Sequence, residues 1–160
     1  MVLSPIGKCT DMYSEICDKN EWYAHVTWDD INEMIQSGVV EIQNHSYNMH
    51  QNKCGRNGSK KVRGESLKQY RKFFSDDIMK MQDAISSHTS RNATTFTYPF
   101  GAISKESLQI LKDLGFKATL TSEQRINKIH KNQDDLYGLC RFVRPHGIST
   151  SDFFKKIGVI

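Results

Sequence analysis

Two short stretches of this chain hold residue types whose spacing could do chemistry. The first is His45-Ser46-Tyr47-Asn48-Met49-His50, at the polar end of the apolar run Val39-Val40-Glu41-Ile42. Neutral imidazole is a preferred ligand for zinc and its transition-metal neighbours. One imidazole at a strand's carboxyl end and another past the following turn can converge on a single ion. A catalytic zinc usually takes three protein ligands and a water. Two histidines are therefore one ligand short, and the third, a carboxylate by chemistry, has to come from elsewhere. Without that third ligand, the spacing is equally that of two incidental histidines.

The second stretch is Thr97-Tyr98-Pro99-Phe100-Gly101. Pro99 has no N–H and Gly101 tolerates tight backbone geometry, so the turn is constrained. Free backbone N–H groups in such a turn could face an oxyanion. An ordinary strand-to-helix turn would use the same residues.

These stretches need elements to position them. The spacing predicts a helix over 27–37, with Thr27 as N-cap, Asp30 at N3 and Gly38 as the stop; Trp28, Ile31, Met34 and Ile35 form its apolar stripe. Residues 39–45 read as a strand with a polar end. The longest helix is expected over 66–87, opened by Ser66 and Gln69 as a capping box. Its apolar face is Leu67, Tyr70, Phe74, Ile78, Met81 and Ile85. Residues 94–101 read as a strand ending in a turn, 105–114 as a helix capped by Ser104 and closed by Gly115, and 116–121 as a strand. A further strand is expected over 136–144, then a last helix opened by Ser149 and Asp152. Val2 to Ser4 reads as the tail of a buried strand. The least structured stretches are 8–26, 51–64 and 122–135. Strand–helix alternation of this kind implies a mostly parallel sheet covered by helices, with functional groups at the strands' carboxyl ends.

Composition narrows the class. The chain has 160 residues, 38% apolar and 25% charged, enough for a single domain with a real core. No window reaches the ~18 uninterrupted apolar residues of a membrane span. The opening MVLSPIGKCTDMYSE lacks the basic-then-apolar pattern of a signal peptide. Cys9, Cys17, Cys54 and Cys140 form no C-x-x-C pair and are expected to be ordinary thiols. The net charge of +4 is concentrated in residues 53–72, where eight cations face only Glu65. That stretch reads as a solvated face or as a surface for an anionic polymer.

The residues resemble a known family. H-S-x-x-x-H after V-V-E-I-Q-N, followed by F-x-Y-P-F-G, is similar to the NodB-type polysaccharide deacetylases, metal-dependent esterases that remove N-acetyl groups from amino-sugar polymers. The closing R-F-V-R-P-H-G-I-S-T-S-D-F-F-K-K-I resembles the poly-N-acetylglucosamine deacetylase branch. The resemblance implies His45 and His50 as metal ligands, with zinc as the metal, and Ser46 as a residue that shapes their loop. It implies the Phe100 backbone N–H as oxyanion donor, and Tyr98, Pro99 and Gly101 as substrate-binding turn residues. It makes His146 a residue of the active-site rim, although a histidine in a Pro-His-Gly turn is also ordinary surface.

The departures are specific. The family's Asp-Asp strand, source of its base and third ligand, has no counterpart here, and Thr97 stands where many members have arginine. Thr27-Trp28-Asp29-Asp30 looks like the lost motif but is better explained as a helix start. The fold expected is thus an α/β, incomplete or distorted (β/α) barrel filling residues 1–160, missing the first strand and helix. A homodimer through the exposed sheet edge is also expected. The function implied is deacetylation of an N-acetylated carbohydrate polymer in the bacterial cell envelope, impaired in this chain. The alternative is a non-catalytic carbohydrate-binding remnant using Trp22, Tyr23, Tyr47, Tyr98 and Phe100. A nucleic-acid partner is not expected.

Overall fold

The computed structural model describes residues 2–16, 25–53 and 55–159. In chain order the elements are β1 (Val2–Leu3), α1 (Gly7–Ile16), α2 (Trp28–Gln36), β2 (Glu41–Ile42) and a small hairpin of β3 (Asn52–Lys53) and β4 (Arg56–Asn57). Then come α3 (Leu67–Thr89), β5 (Thr95–Thr97), α4 (Ser107–Asp113), β6 (Ala118–Leu120) and α5 (Thr150–Lys156).

The strands are short, and outside the antiparallel β3–β4 hairpin they pair parallel. β1 lies beside β2, with Leu3 opposite Ile42. A bridge between Asn44 and Phe96 joins the continuation of β2 to β5. β5 pairs with β6, and a bridge from Leu120 to Leu139 adds a last rung. The ladder therefore runs in chain order, with helices in the connections, as βαβ logic requires. Among the described residues it is an open ladder and not a closed barrel. Among the described residues β1 has no strand on its outer side, and the expected homodimer through that edge is not supported.

The helix starts follow from local chemistry. Thr27 accepts from the Asp30 N–H while the Asp30 carboxylate accepts from the Thr27 N–H, a complete capping box. Ser66 and Gln69 make the same box at α3. α3 buries Tyr70, Phe74, Ile78, Met81 and Ile85 completely. Phe96 meets three rings of this core edge-on: Phe74 at 82°, Tyr98 at 87° and Phe116 at 76°. Each such pair adds about 0.5–1.5 kcal/mol beyond burial.

Four expectations need correction. Residues 7–16 are helical rather than unstructured; Ser14 bonds back to the Thr10 carbonyl, and Asp11 accepts from the Trp28 indole N–H. Ser104 does not cap α4, because its hydroxyl accepts the N–H of Lys61 instead; Glu106 stands at the cap position without a side-chain bond. Residues 136–144 are not a strand: only Leu139 pairs, after a 3-10 turn over Gln133–Leu136 and with Gly138 at φ +83. Leu67 is 54% exposed, since the first turn of α3 overshoots the core.

Four of the eight cations of the basic stretch are paired within the fold, while Lys53, Lys60, Arg63 and Lys68 are exposed. Arg56 pairs with Glu65 at 2.6 Å and lies over the Phe73 ring, Lys61 pairs with Glu106, Arg71 with Asp113 and Lys72 with Asp76. Cys9 and Cys140 are free thiols. Cys17, Cys54, Trp22 and Tyr23 lie outside the described residues.

The core assignment makes a quantitative expectation. Phe96→Ala removes the ring on which three others converge and costs about 3–5 kcal/mol. Leu67→Ala stays within about 0.5 kcal/mol of the parent. Chemical denaturation midpoints of the two variants decide it; equal losses would contradict this packing.

Candidate functional site

His45 follows Asn44 at the carboxyl end of the β2 stave. Asn44 is fully buried and locks that end to α3: its amide donates to the Ile78 carbonyl and to Gln82, both at 3.1 Å. Its side-chain oxygen accepts the N–H of Ser46 at 2.9 Å. Ser46 is left-handed at φ 72, and its hydroxyl accepts the Met49 N–H, closing a tight loop that returns the chain at His50.

The two imidazoles lie side by side with centroids 5.1 Å apart and planes tilted by 58°. His45 Nδ1 lies 2.8 Å from the Thr97 carbonyl. A carbonyl only accepts, so Nδ1 carries the proton and Nε2 keeps a free lone pair. Two imidazoles bonded at about 2.1 Å to one tetrahedral zinc place their centroids about 5 Å apart. The observed separation fits a shared ion. Among the described residues, however, no group of three or more histidine, cysteine or acidic side chains is placed to hold a metal.

Electrostatics keeps His45 in its ligand form. Its pKa is lowered to about 4 by burial, which outweighs the opposing bond to the Thr97 carbonyl, with smaller depressing contributions from the charges of His50 and Arg141. Asp77, reaching from α3, accepts the N–H groups of Tyr47 and Asn48, and burial pushes its carboxyl above the usual range. The Tyr47 hydroxyl donates to Asp11 at 2.6 Å, which pushes its pKa up to about 12.

The turn at 98–101 adjoins the pair. Phe100 is left-handed at φ 55, and its ring lies 4.1 Å from that of His50. Gly101 N–H and Ala102 N–H are spent on the carbonyls of Tyr98 and Pro99, whereas the Phe100 N–H has no hydrogen-bond partner among the described residues. The β3–β4 hairpin presses on this turn. A Cβ on Gly58, at φ +55, would come within 2.8 Å of the Pro99 oxygen and 3.2 Å of the Phe100 ring.

The structure thus brings together His45, His50, Phe100, Pro99 and Gly101. Tyr98 is turned away: its side chain is buried and hydrogen-bonded to Ser107, so only its backbone borders the turn. His146 is exposed, with no hydrogen bond or ring contact to either histidine. Asp30 is occupied in its capping box. Sequence reasoning missed Asp77, Asp11 and Arg141, whose roles depend on contacts between segments distant in the chain.

A polysaccharide deacetylase family model matches residues 6–119. The chain is 24% identical to the poly-beta-1,6-N-acetyl-D-glucosamine N-deacetylase of Escherichia coli K12, over 96% of this chain and 24% of that protein. The enzyme of the same name from Staphylococcus aureus MRSA252 is 23% identical over 68% of this chain and 34% of its own. The chain therefore spans about a quarter to a third of the curated relatives it matches. A de-N-acetylase from Aggregatibacter actinomycetemcomitans superposes with a TM-score of 0.72 at 23% identity, over 96% of this chain and 63% of that one, which shows a shared fold.

The sign of the His45 shift fixes a pH dependence. Its folded pKa, about 4, lies below the unfolded value of 6.5. Its contribution to stability is therefore complete above pH 6.5 and is lost as pH falls toward 4. Denaturation free energies should decline more steeply over that window in the parent than in His45→Asn. Parallel curves would show that the ring protonates freely in the fold.

Proposed function

The chain belongs to the polysaccharide deacetylase family, and from that premise we propose that it acts on N-acetyl groups of an amino-sugar polymer at the His45–His50 pair. The observation that supports this best is the pair itself: two imidazoles 5.1 Å apart, one with its tautomer fixed, beside a turn whose Phe100 N–H has no partner among the described residues. The substrate class proposed is a poly-N-acetylglucosamine, by analogy with the relatives' names. The site of action proposed is the bacterial cell envelope. Among the described residues, no helix is long and apolar enough to cross a membrane.

His45 through Nε2, together with His50, would hold the divalent metal, zinc being the ion that suits imidazole ligands. When bound, the metal polarises the acetamide carbonyl and lowers the pKa of its water. The chain's own residues do the rest. The Thr97 carbonyl keeps His45 in the tautomer that offers Nε2. The Phe100 N–H donates to the oxygen that becomes negative as the carbonyl is attacked. Pro99 and Gly101 hold that donor in its left-handed turn. The exposed Phe100 ring, rather than buried Tyr98, offers an apolar face to a sugar.

The described residues bring no carboxylate to the pair, so the base and third ligand are missing from this arrangement. We therefore expect slow turnover from this chain by itself. The same gap favours a second reading, a carbohydrate-binding remnant in which Phe100 and the turn still hold sugar.

Acetate release from N-acetylglucosamine oligomers in the presence of zinc or cobalt tests both. The first reading expects turnover that His45→Ala reduces at least a hundredfold. Glycan binding without metal uptake or turnover would select the remnant.

A second variant probes the turn. Gly58→Ala forces a Cβ against the Pro99 oxygen at a left-handed position. It should lower stability by about 1–3 kcal/mol and reduce either turnover or glycan affinity. An unchanged melting curve would mean the hairpin does not brace the turn.

A further inference from the structure

The two imidazoles are held in different ways. His45 is fixed by the strand ladder and by its bond to the Thr97 carbonyl. His50 has no hydrogen bond of its own among the described residues; its ring contacts the rings of Phe100 and His45. Its position is therefore set by the backbone that delivers it, residues 46–49.

That backbone is gripped from α3. Asp77 meets two consecutive N–H groups with its two oxygens: Tyr47 N–H at 2.7 Å on Oδ1 and Asn48 N–H at 2.9 Å on Oδ2. A carboxylate that takes two adjacent peptides this way fixes the orientation of both, and charge makes each bond stronger than a neutral one. The Tyr47 side chain is pinned as well. Its hydroxyl donates to Asp11 and its ring lies under Lys80, 3.9 Å from Nζ. Asp77 and Lys80 sit one turn apart on α3, so one helical face holds both the backbone and the side chain of Tyr47.

We propose that Asp77 is the positioning residue of the histidine pair: its carboxylate sets the separation of the His50 ring from the His45 ring through the peptides of Tyr47 and Asn48. The functional meaning of this role rests on reading the pair as metal-holding. Its structural content does not. Asp77 touches neither imidazole, and it lies about 30 residues from the loop in sequence.

Asp77→Asn tests it. The substitution keeps size but turns one accepting oxygen into a donor, which opposes an N–H of Tyr47 or Asn48. In the parent, ring protons of His45 and His50 should show a mutual nuclear Overhauser effect. Asp77→Asn should lose it, shift the His50 ring signals and leave those of His45 nearly unchanged. Zinc affinity, measured by calorimetry with Zn²⁺, should fall about tenfold or more. Ile85→Val, a mild core change on the same helix, should alter neither reading. Asp77→Glu, which keeps the charge but displaces the oxygens by a methylene, should also move the His50 ring and serves if the asparagine variant fails to fold.

The proposal is overturned if either Asp77 variant keeps the ring contact. It is equally overturned if ring contact and affinity fall only in proportion to lost melting temperature, as Ile85→Val would then also show. A parent protein with the ring contact but no zinc uptake would remove the metal reading of the pair. The ring contact alone would then decide the role of Asp77.

Discussion

The site exists because the parallel ladder stops at one carbonyl. Thr97 spends its N–H on the Asn44 carbonyl at 2.8 Å, an ordinary rung. The next rung would bring a backbone N–H from residue 46 to the Thr97 carbonyl. Ser46 has turned away, left-handed, and donates to the Asn44 side chain instead. The orphaned carbonyl is satisfied by His45 Nδ1–H. One hydrogen bond thus closes this rung of the ladder, settles the tautomer and leaves the other nitrogen with the lone pair. A buried carbonyl that lost this partner would cost about 1–3 kcal/mol, so the ring's orientation is coupled to the stability of the strand end.

Rigidity behind that bond comes from the core. Phe96 precedes Thr97 and is packed by three rings, while α3 supplies the Ile78 carbonyl that anchors Asn44. The third support is the hairpin, which Arg56 ties to Glu65 and to the Phe73 ring. Ser59 donates to the Ala102 carbonyl, and the Tyr70 hydroxyl donates to the Ser59 carbonyl, so the hairpin, the turn and α3 are stitched together. Arg56, which looks like part of a free basic run in the sequence, is thereby used to brace the hairpin against the turn at 98–101. Lys53, Lys60, Arg63 and Lys68 of the same run stay exposed.

What was legible in the sequence was local. Thr27 with Asp30, Ser66 with Gln69 and Ser149 with Asp152 all form the caps their spacing implies, because partners three residues apart need no tertiary information. His45, His50 and the Pro-Phe-Gly turn were legible for the same reason: each motif is a strand end and its immediate continuation. Failures came where a distant partner intervened. Ser104 looked like a cap, but Lys61 reaches its hydroxyl first. The apolar alternation of 136–144 looked like a strand, but Gly138 turns the chain and Arg141 donates its Nε–H to the Thr121 carbonyl. Asp77 gave no signal at all; a single acid on a helix declares itself only when the loop it grips is folded against it.

Charge states what the pair still requires. Two neutral imidazoles bring no negative charge, and Arg141 adds a positive one close enough to depress His45. A divalent ion placed between them would meet that field unopposed. Hard and borderline cations are held against such repulsion by carboxylates, which the described residues do not bring to the pair. The same field has the opposite effect on an anion: a developing oxyanion beside the Phe100 N–H, or a carboxylate product, is stabilised by it. On the proposed reading, the positive charge of Arg141 would favour a developing oxyanion beside the Phe100 N–H and oppose a divalent ion at the pair. The base and the third ligand are two separate requirements of that reading, and carboxylate chemistry would have to meet each of them at the pair.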